Sequence, residues 1–443
     1  MRLCCYLMFS FLLSFNAGAA ALSEKEILDG ADERIERYRK GDAKLQLQDE
    51  NGKPLGKGVK VSIEQTQHRF LFGALCGMFN KEMRDSKPEE FEHYSKLYRE
   101  LLNYATIQIF WVSFEPEKGK PNYDAMQFQC DWGRNNGITL KAHPLAWNWW
   151  HEPKFLQGKS AKQILQMQGQ RITDIMTRFK GQVQYWDVVN EPSGFDRKIA
   201  HEQAPLLTSA ILGIGGDHFL RQMYTLARKA DPSATLLVND FVLKDQAFQK
   251  RGIEPLLKAG KDGADLFDAI GYQSHMQTGT WPVEKTWNDC EQLAVYGKPI
   301  HFSETTILSG TPEKGSKDTR AKGPSTKSGE ERQAREMAQF YTILFSHPSV
   351  EAITLWTWKD NPQWPAGLVR VDGTPKPVYY ALQDLIRKKW WTKTTAITND
   401  QGEISWRGFY GDYKVKAEVK GQALQANFTL KPGESDPVEV KMN

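Results

Sequence analysis

Short apolar runs alternate with amphipathic helical stretches along most of the chain. Apolar residues recur at helical spacing in several segments, for example residues 91–102, 161–179, 219–230 and 331–345. Between the helical stretches, eight apolar runs predict buried strands: 69–73, 104–110, 138–142, 185–190, 236–239, 269–273, 300–304 and 352–356. Eight strands, most of them followed by a helix, predict an α/β protein with a (β/α)8 TIM barrel. An open doubly wound sheet is disfavoured because no Gly-rich phosphate turn follows the first strand.

The two ends of the chain have a different pattern from the barrel. Residues 23–40 predict a helix, with Ser23 as the N-cap and Glu26 as its capping-box partner. Alternating segments at 43–48 and 58–63, separated by a polar turn, predict a β-hairpin. Four short alternating runs near the C-terminus predict a small antiparallel β module: 403–409, 413–419, 425–430 and 438–442.

These patterns divide the chain into an N-terminal helix and hairpin at 21–68, the barrel at 69–387 and the β module at 388–443. Packing of the module on the hairpin is favoured over sugar binding through Trp406, Phe409 and Tyr410. Two insertions, at 194–216 and 309–329, follow the fourth and seventh strands and are expected to lie on the same face of the barrel.

The first residues have the pattern of an export signal. Met1-Arg2 is a short basic start, residues 3–15 are almost wholly apolar, and Ala17-Gly18-Ala19 offers the small residues that a signal peptidase accepts. We therefore expect residues 1–20 to be removed. The remaining chain is expected to be secreted to the periplasm or the extracellular space, without attachment to a membrane.

The amino-acid composition indicates which classes of molecule the protein is expected to bind. The 58 Lys and Arg residues nearly balance the 54 Asp and Glu residues and are scattered, so nucleic acid is not an expected partner. Removal of the leader leaves Cys76, Cys130 and Cys290, which are too widely spaced for a disulfide framework or a metal site. One pair could bridge, but buried free thiols are favoured. An aromatic content of 12% suits stacking on sugar rings, although most of the 14 Trp residues are expected to fill the core.

Carboxylates stand at the ends of two of the predicted strands. Glu191 follows the fourth strand, and Glu304 ends the seventh. A parallel barrel brings the carboxyl ends of its strands to one mouth, which is where such barrels hold their chemistry. Two carboxylates at one mouth suggest cleavage of a glycoside, which requires a proton for the leaving oxygen and a nucleophile or water at the anomeric carbon. The neighbours Val189 and Pro192 give Glu191 an apolar setting, which favours the acid role.

Polar or aromatic residues also end four other strands, which stability alone does not predict. They are Lys141, His143 and Trp147 at strand 3, Asn239 and Asp240 at strand 5, Gln273 and His275 at strand 6, and Trp356, Trp358 and Asp360 at strand 8.

From about residue 70 to residue 385 these motifs resemble the retaining β-xylanases of glycoside hydrolase family 10. The segment 186–191 is similar to the family's acid/base strand, and 301–304 is similar to its nucleophile strand. The resemblance implies double displacement, with Glu304 as nucleophile, Glu191 as acid/base, His275 orienting the nucleophile, and the two carboxyls about 5–5.5 Å apart. It implies neither a cofactor nor a metal, and a monomer is expected. The residues expected to contact the polysaccharide are Gln108, His143, Trp147, Asn190, Gln273, Trp356 and Trp364.

Three departures from the family pattern concern the cleft. At the end of strand 2 the family has a Glu-Asn pair and a Lys before a Trp, whereas this chain has Gln108 and Phe110 in that neighbourhood. Asn148 stands where a His usually follows the strand 3 Trp, and Thr305-Thr306 stand where an acidic residue usually follows the nucleophile. We therefore expect a secreted retaining hydrolase of xylan or a related plant or algal polysaccharide whose donor-side subsites are rebuilt. The alternatives are a β-glycanase that acts on a different polymer and, less favoured because both glutamates are present, a non-catalytic carbohydrate-binding protein.

Overall fold

The computed structural model describes residues 22–312, 320–361, 364–433 and 437–442, so the predicted signal segment lies outside the described residues. The strands of the described chain are β1 (Lys40–Gln48), β2 (Lys60–His68), β3 (Leu71–Leu75), β4 (Tyr104–Gln108), β5 (Thr139–His143), β6 (Tyr185–Asn190), β7 (Thr235–Asp240), β8 (Ala269–Tyr272), β9 (His275–Met276), β10 (Ile300–Ile307), β11 (Val350–Leu355), β12 (Lys393–Ile397), β13 (Glu403–Phe409), β14 (Gly411–Val419), β15 (Gln422–Leu430) and β16 (Val438–Lys441). Its α-helices are α1 (Glu24–Asp29), α2 (Ala31–Arg39), α3 (Lys81–Ser86), α4 (Pro88–Leu101), α5 (Trp111–Phe114), α6 (Tyr123–Asn135), α7 (Ala161–Arg178), α8 (Lys198–Gln203), α9 (Pro205–Ile214), α10 (Gly216–Ala230), α11 (Val283–Ala294), α12 (Lys327–Ser346) and α13 (Pro377–Asp384).

A closed barrel of parallel strands forms the centre of the molecule. Its strands follow the order β3-β4-β5-β6-β7-β8-β10-β11, and β11 pairs with β3 to close the circle. The predicted (β/α)8 barrel is therefore confirmed, and the predicted run 185–190 coincides with β6. The short strand β9 lies beyond β8 and pairs with the end of β10, which extends the sheet at the mouth of the barrel.

The predicted N-terminal helix is interrupted at Gly30. Ser23 caps α1 and forms the predicted capping box with Glu26. The chain then starts α2 after Gly30, instead of continuing as one helix to residue 40. The break places Ile27 of α1 in a small cluster with Trp287, whereas Ile35 of α2 packs into the main core.

The predicted N-terminal hairpin is wrong in its pairing. β1 lies between β13 and β16 in a three-stranded sheet, and β2 lies between β12 and β14 in a four-stranded sheet. The two sheets share one apolar core, to which β1 contributes Leu45 and Leu47 and β2 contributes Val61 and Ile63. Each strand has one apolar face, and two facing sheets bury both faces where a lone hairpin would leave them in water. The N-terminal strands and the C-terminal module thus form a single β unit.

The insertion after the fourth barrel strand folds into helices. α8 and α9 occupy most of residues 194–216, and Leu207 and Ile211 of α9 are buried. In the second insertion, residues 313–319 lie outside the described part of the chain. Cys76, Cys130 and Cys290 are free and buried, which confirms the favoured prediction for these thiols. Within the described residues, no helix combines the length and the apolar character needed to cross a membrane.

Candidate active site

β6 presents Glu191 at the mouth of the barrel through an unusual backbone conformation. Glu191 directly follows β6 and has φ 54° and ψ 50°, a left-handed conformation that residues other than glycine seldom adopt. Its N–H donates to the carbonyl of Asn239 at 2.7 Å, which holds it against β7. Pro192 follows, so no strand can continue. Backbone strain of this kind is concentrated at functional sites, where the surrounding structure maintains it.

The Glu191 carboxyl is buried and accepts hydrogen bonds on both oxygens. Gln273 Nε2 donates to Oε1 at 3.1 Å, and Arg197 Nη1 donates to Oε2 at 2.7 Å. Burial has the largest effect on the pKa of Glu191 and raises it; Arg197 and Gln273 lower the pKa, Asp240 and Glu304 raise it, and the net pKa is about 7. A carboxyl with this pKa can hold a proton near neutral pH and release it in a reaction.

Glu304, on β10, has surroundings that lower its pKa, whereas those of Glu191 raise it. Asn239 Nδ2 donates to Oε1 at 2.8 Å, and His275 Nε2 lies 3.0 Å from Oε2. His143 Nε2 lies 3.8 Å from Oε1. Burial alone would raise the pKa of Glu304, but the interactions with His143, His275 and Lys141 outweigh it and lower the pKa below its usual range. Glu304 is therefore ionised, as a nucleophile must be.

A buried ion pair supports this side of the site from inside the barrel. Lys141 Nζ lies 3.0 Å from Oδ2 of Asp187, and the same oxygen lies 2.7 Å from His143 Nδ1. Burial alone would raise the pKa of Asp187, but Lys141 and His143 lower it overall, so Asp187 stays ionised. His143 thus lies between Asp187, whose carboxylate fixes the orientation of its ring, and Glu304.

Aromatic side chains line the cleft above the two carboxyls. The cleft has a volume of about 750 Å³. Its aromatic walls come from Phe110, Trp147, Trp149, Trp150, Phe241, Trp281, Trp356 and Trp364. The ring centroid of Phe110 lies 5.7 Å from that of Trp147 and 6.3 Å from that of Trp150. Such flat apolar faces flanked by polar groups suit the faces of sugar rings.

The sequence model of glycosyl hydrolase family 10 matches residues 74–385, which is well over half of the chain and most of the barrel. The chain belongs to this family. Among curated proteins, anti-sigma-I factor RsgI6 of Acetivibrio thermocellus is 26% identical over 415 residues, covering 91% of this chain and 48% of that protein. Endo-1,4-beta-xylanase 3 of Arabidopsis thaliana is 24% identical over 384 residues, covering 85% of this chain and 45% of that protein. The chain therefore spans less than half the length of either relative.

Solved structures of family 10 share the fold. Native xylanase 10B from Thermotoga maritima is 24% identical, with a TM-score of 0.57 over 72% of this chain and 96% of that one. Xylanase 10B from Thermotoga petrophila, solved with xylobiose, is 23% identical, with a TM-score of 0.57 over 72% of this chain and 95% of that one. At this identity the likeness establishes the barrel and nothing finer.

The residues predicted from the sequence come together in this family 10 barrel. Eight of them line the cleft: Gln108, Trp147, Glu191, Gln273, His275, Glu304, Trp356 and Trp364. The other two, His143 and Asn190, are each 1% exposed; His143 faces Glu304, and Asn190 Oδ1 accepts from Asn239 Nδ2 at 2.8 Å.

Several residues that belong to the site were not predicted from the sequence as site residues. Asn239 was noted only as a strand end, yet it contacts both Asn190 and Glu304. Arg197 lies in the insertion after the fourth strand, where no periodicity identifies individual positions. Trp149 and Trp150 lie two and three residues after the predicted Trp147, and their proximity to it was the available signal.

Proposed function

We propose that this family 10 chain is a retaining glycoside hydrolase that cleaves internal β-1,4 linkages of xylan or a related plant or algal polysaccharide. One observation carries the proposal: two buried carboxyls at one barrel mouth have pKa values shifted in opposite directions. Two carboxyl groups whose environments separate their pKa values can divide the acid and nucleophile roles between them.

In the proposed mechanism Glu304 attacks the anomeric carbon while Glu191 protonates the leaving oxygen. A covalent glycosyl-enzyme results, and Glu191 then deprotonates the water that releases it. His275 and Asn239 hold the Glu304 carboxylate in place through hydrogen bonds to its two oxygens. The mechanism requires carboxyl groups about 5–5.5 Å apart.

The remaining residues of the cleft are assigned to sugar binding. Asn190 is proposed to contact the 2-hydroxyl of the sugar at the cleaved bond, where a hydrogen bond strengthens in the transition state. Gln108, His143 and Gln273 supply further polar contacts. Trp147, Trp356 and Trp364 supply apolar faces for the sugar rings.

Xylan is the first substrate to test because curated relatives that share the barrel are named endo-1,4-beta-xylanases. A β-glycanase for another polymer is the second candidate. The observation in its favour is Phe110, which lines the cleft at the end of strand 2, where the family has a Glu-Asn pair and a Lys, and whose ring lies against those of Trp147 and Trp150. We also propose that residues 1–20 direct export, since extracellular polysaccharide is accessible only to a secreted enzyme.

A non-catalytic carbohydrate-binding protein is the third candidate. The reason to keep it is the relative named an anti-sigma-I factor, whose similarity covers 91% of this chain and whose name states no hydrolase activity. The presence of both Glu191 and Glu304 in distinct electrostatic settings favours catalysis instead, because binding alone requires neither setting.

Product analysis on a panel of polysaccharides tests the proposal. β-1,4-xylan, arabinoxylan, mixed-linkage glucan, mannan and an algal galactan are incubated with the wild type, Glu304→Gln and Glu117→Gln. Glu117 is an exposed glutamate paired with Lys120 and serves as the matched control. Xylo-oligosaccharides from the wild type and the control, but not from Glu304→Gln, are expected. Products from another polymer alone would select the second candidate, and binding without products from any polymer would select the third.

Chemical rescue tests the individual roles. For a retaining enzyme, azide should restore turnover of an activated aryl glycoside by Glu304→Ala with an α-glycosyl azide product. With Glu191→Ala the azide product should have the β configuration. Proton NMR of the first product formed by the wild type should show retention of configuration.

A further inference from the structure

Arg197 places a cation directly against the proposed acid. Its Nη1 donates to Glu191 Oε2 at 2.7 Å, and its Nη2 lies 3.9 Å from Asp240 Oδ1. The guanidinium also faces the ring of Phe241, with its Cζ 4.8 Å from the ring centroid, and lies 5.8 Å from the ring of Trp149. Phe241 and Trp149 both line the cleft, so the cation lies next to the cleft wall, and the Arg197 side chain is 24% exposed.

The loop makes room for this arrangement through Gly194. A Cβ atom at residue 194 would lie 2.1 Å from Arg197 Cζ, so the Arg197 side chain would have to move. A glycine at this position therefore allows Arg197 to fold back over the loop and reach Glu191. The backbone of Gly194 is not left-handed, so an alanine there would move the Arg197 side chain without straining the backbone.

The contact with Arg197 obstructs the acid in its present form. Gln273, which is 2% exposed, donates to Oε1, whereas the partner of Oε2 is a charged side chain from a loop. That oxygen is taken up by Arg197, whose N–H groups are donors only. Arg197 also favours the deprotonated form of Glu191 by lowering its pKa, so Glu191 becomes a better proton carrier when Arg197 withdraws from Oε2.

A released Arg197 needs another anion. Asp240 does not fully provide one, because its Oδ2 accepts from the Ser193 N–H at 2.9 Å and its Oδ1 accepts from the Phe241 N–H at 2.7 Å. The acid faces the leaving oxygen, so a cation bound to the acid adjoins the sugar on the leaving-group side. The planar guanidinium matches the paired oxygens of a carboxylate or a sulfate.

We propose that Arg197 exchanges its ion pair with Glu191 for an anionic group, a carboxylate or a sulfate, on the sugar at the leaving-group side. Arg197 is then a specificity-determining residue that directs this chain to acidic polysaccharides. The exchange also frees Oε2 of Glu191 to donate its proton to the leaving oxygen. The inference rests on the proposed hydrolase function and specifies further that the substrate is an acidic polysaccharide.

Kinetics on matched oligosaccharides test the inference. The probes are a linear xylo-oligosaccharide, the same backbone with one glucuronic acid branch, and the same backbone with one sulfate ester. The wild type is expected to show kcat/KM at least about tenfold higher on one of the two acidic probes, in line with a charge-assisted hydrogen bond. The acidic probe that gains identifies the group. Equal values on all three probes would overturn the inference.

Two variants and a control distinguish recognition of an anionic substrate by Arg197 from a structural role of its side chain. Arg197→Ala and Gly194→Ala should both abolish the preference for the acidic probe, the second by displacing the intact arginine. Arg251→Ala removes an exposed arginine that contacts the same loop, at Ser193 and Asp196, and should keep the preference. Equal loss on neutral and acidic probes in Arg197→Ala would overturn the inference, because it would indicate a structural role.

Binding measurements test the inference independently of the proposed hydrolase function, because they require no turnover. Calorimetry with Glu304→Gln and the same probes measures affinity without turnover. Tighter binding of an acidic probe, lost when Arg197→Ala is added, supports the inference even for a probe that the wild type does not cleave. Equal affinity for neutral and acidic probes contradicts it. An absence of cleavage in the wild type, by contrast, bears on the proposed hydrolase function.

Discussion

His275 Nδ1 lies 3.0 Å from the hydroxyl oxygen of Thr306, two residues beyond Glu304. The other ring nitrogen, Nε2, faces Glu304 Oε2 at 3.0 Å. Because an ionised carboxylate only accepts hydrogen bonds, Nε2 must carry a proton, and in a neutral ring Nδ1 then accepts from the Thr306 hydroxyl. Pairing of β9 with β10 holds the two residues side by side. The Glu304 carboxylate thus sets the tautomer, and the Thr306 hydroxyl stabilises it by donating to the other ring nitrogen.

Thr306→Val should weaken catalysis by removing this donor while keeping the shape of the side chain. Loss of one hydrogen bond predicts a decrease in kcat/KM of roughly 2- to 10-fold, and Thr306→Ser should retain most of the activity. NMR of 15N-labelled imidazole distinguishes a tautomer effect from a packing effect. Unchanged His275 nitrogen shifts in Thr306→Val would contradict the assigned role.

The pH profile should reflect the two carboxyls separately. The kcat/KM value of the free enzyme is expected to fall on the basic side with an apparent pKa of about 7, as Glu191 loses its proton. On the acid side it should fall below pH 4.5, because the pKa of Glu304 is lowered from that value. Arg197 lowers the pKa of Glu191, so Arg197→Ala should move the basic limb to higher pH. A basic limb that stays in place in Glu191→Ala would show that another group titrates.

Loss of the buried Lys141 should destabilise the fold far more than loss of an exposed lysine. Lys141→Met leaves the Asp187 carboxylate buried with only His143 beside it, and breaking a buried pair costs about 3–5 kcal/mol. Lys393→Met is the control, since its pair with Glu64 is exposed and such pairs contribute about 0–1 kcal/mol. Urea unfolding measures both. Similar free energies of unfolding in the two variants would show that the buried pair is dispensable.

The same pair gives a stability effect with a defined pH direction. The pKa of Asp187 is lowered in the folded chain, so its contribution to stability is present above the unfolded value of about 3.9. That contribution is lost as the pH falls through the lower folded value. The difference in unfolding free energy between the wild type and Lys141→Met should therefore be largest above about pH 4 and shrink on acidification.

The sequence predicts those parts of the fold that depend on local periodicity. β6 and the residues at the strand ends follow from short apolar runs and from the rule that parallel strands end at one mouth. The partners of β1 and β2 do not, because alternation shows that one face is buried without showing which strands cover it. Arg197 was missed for a related reason: its position at Glu191 depends on the path of the loop around Gly194.

Truncation of the C-terminal half of the β unit should destabilise the whole chain. In the chain 22–387, β1 and β2 lose both neighbours, and four fully buried side chains, Leu45, Leu47, Val61 and Ile63, become exposed. Exposure costs about 1.5–3 kcal/mol each, so the total of about 6–12 kcal/mol is comparable to the whole stability of a typical domain, about 5–15 kcal/mol. We expect 22–387 to aggregate during expression, whereas 22–443 should be soluble. Thermal unfolding of 22–387 at the temperature found for 22–443 would show that the β unit does not contribute to the stability of the barrel.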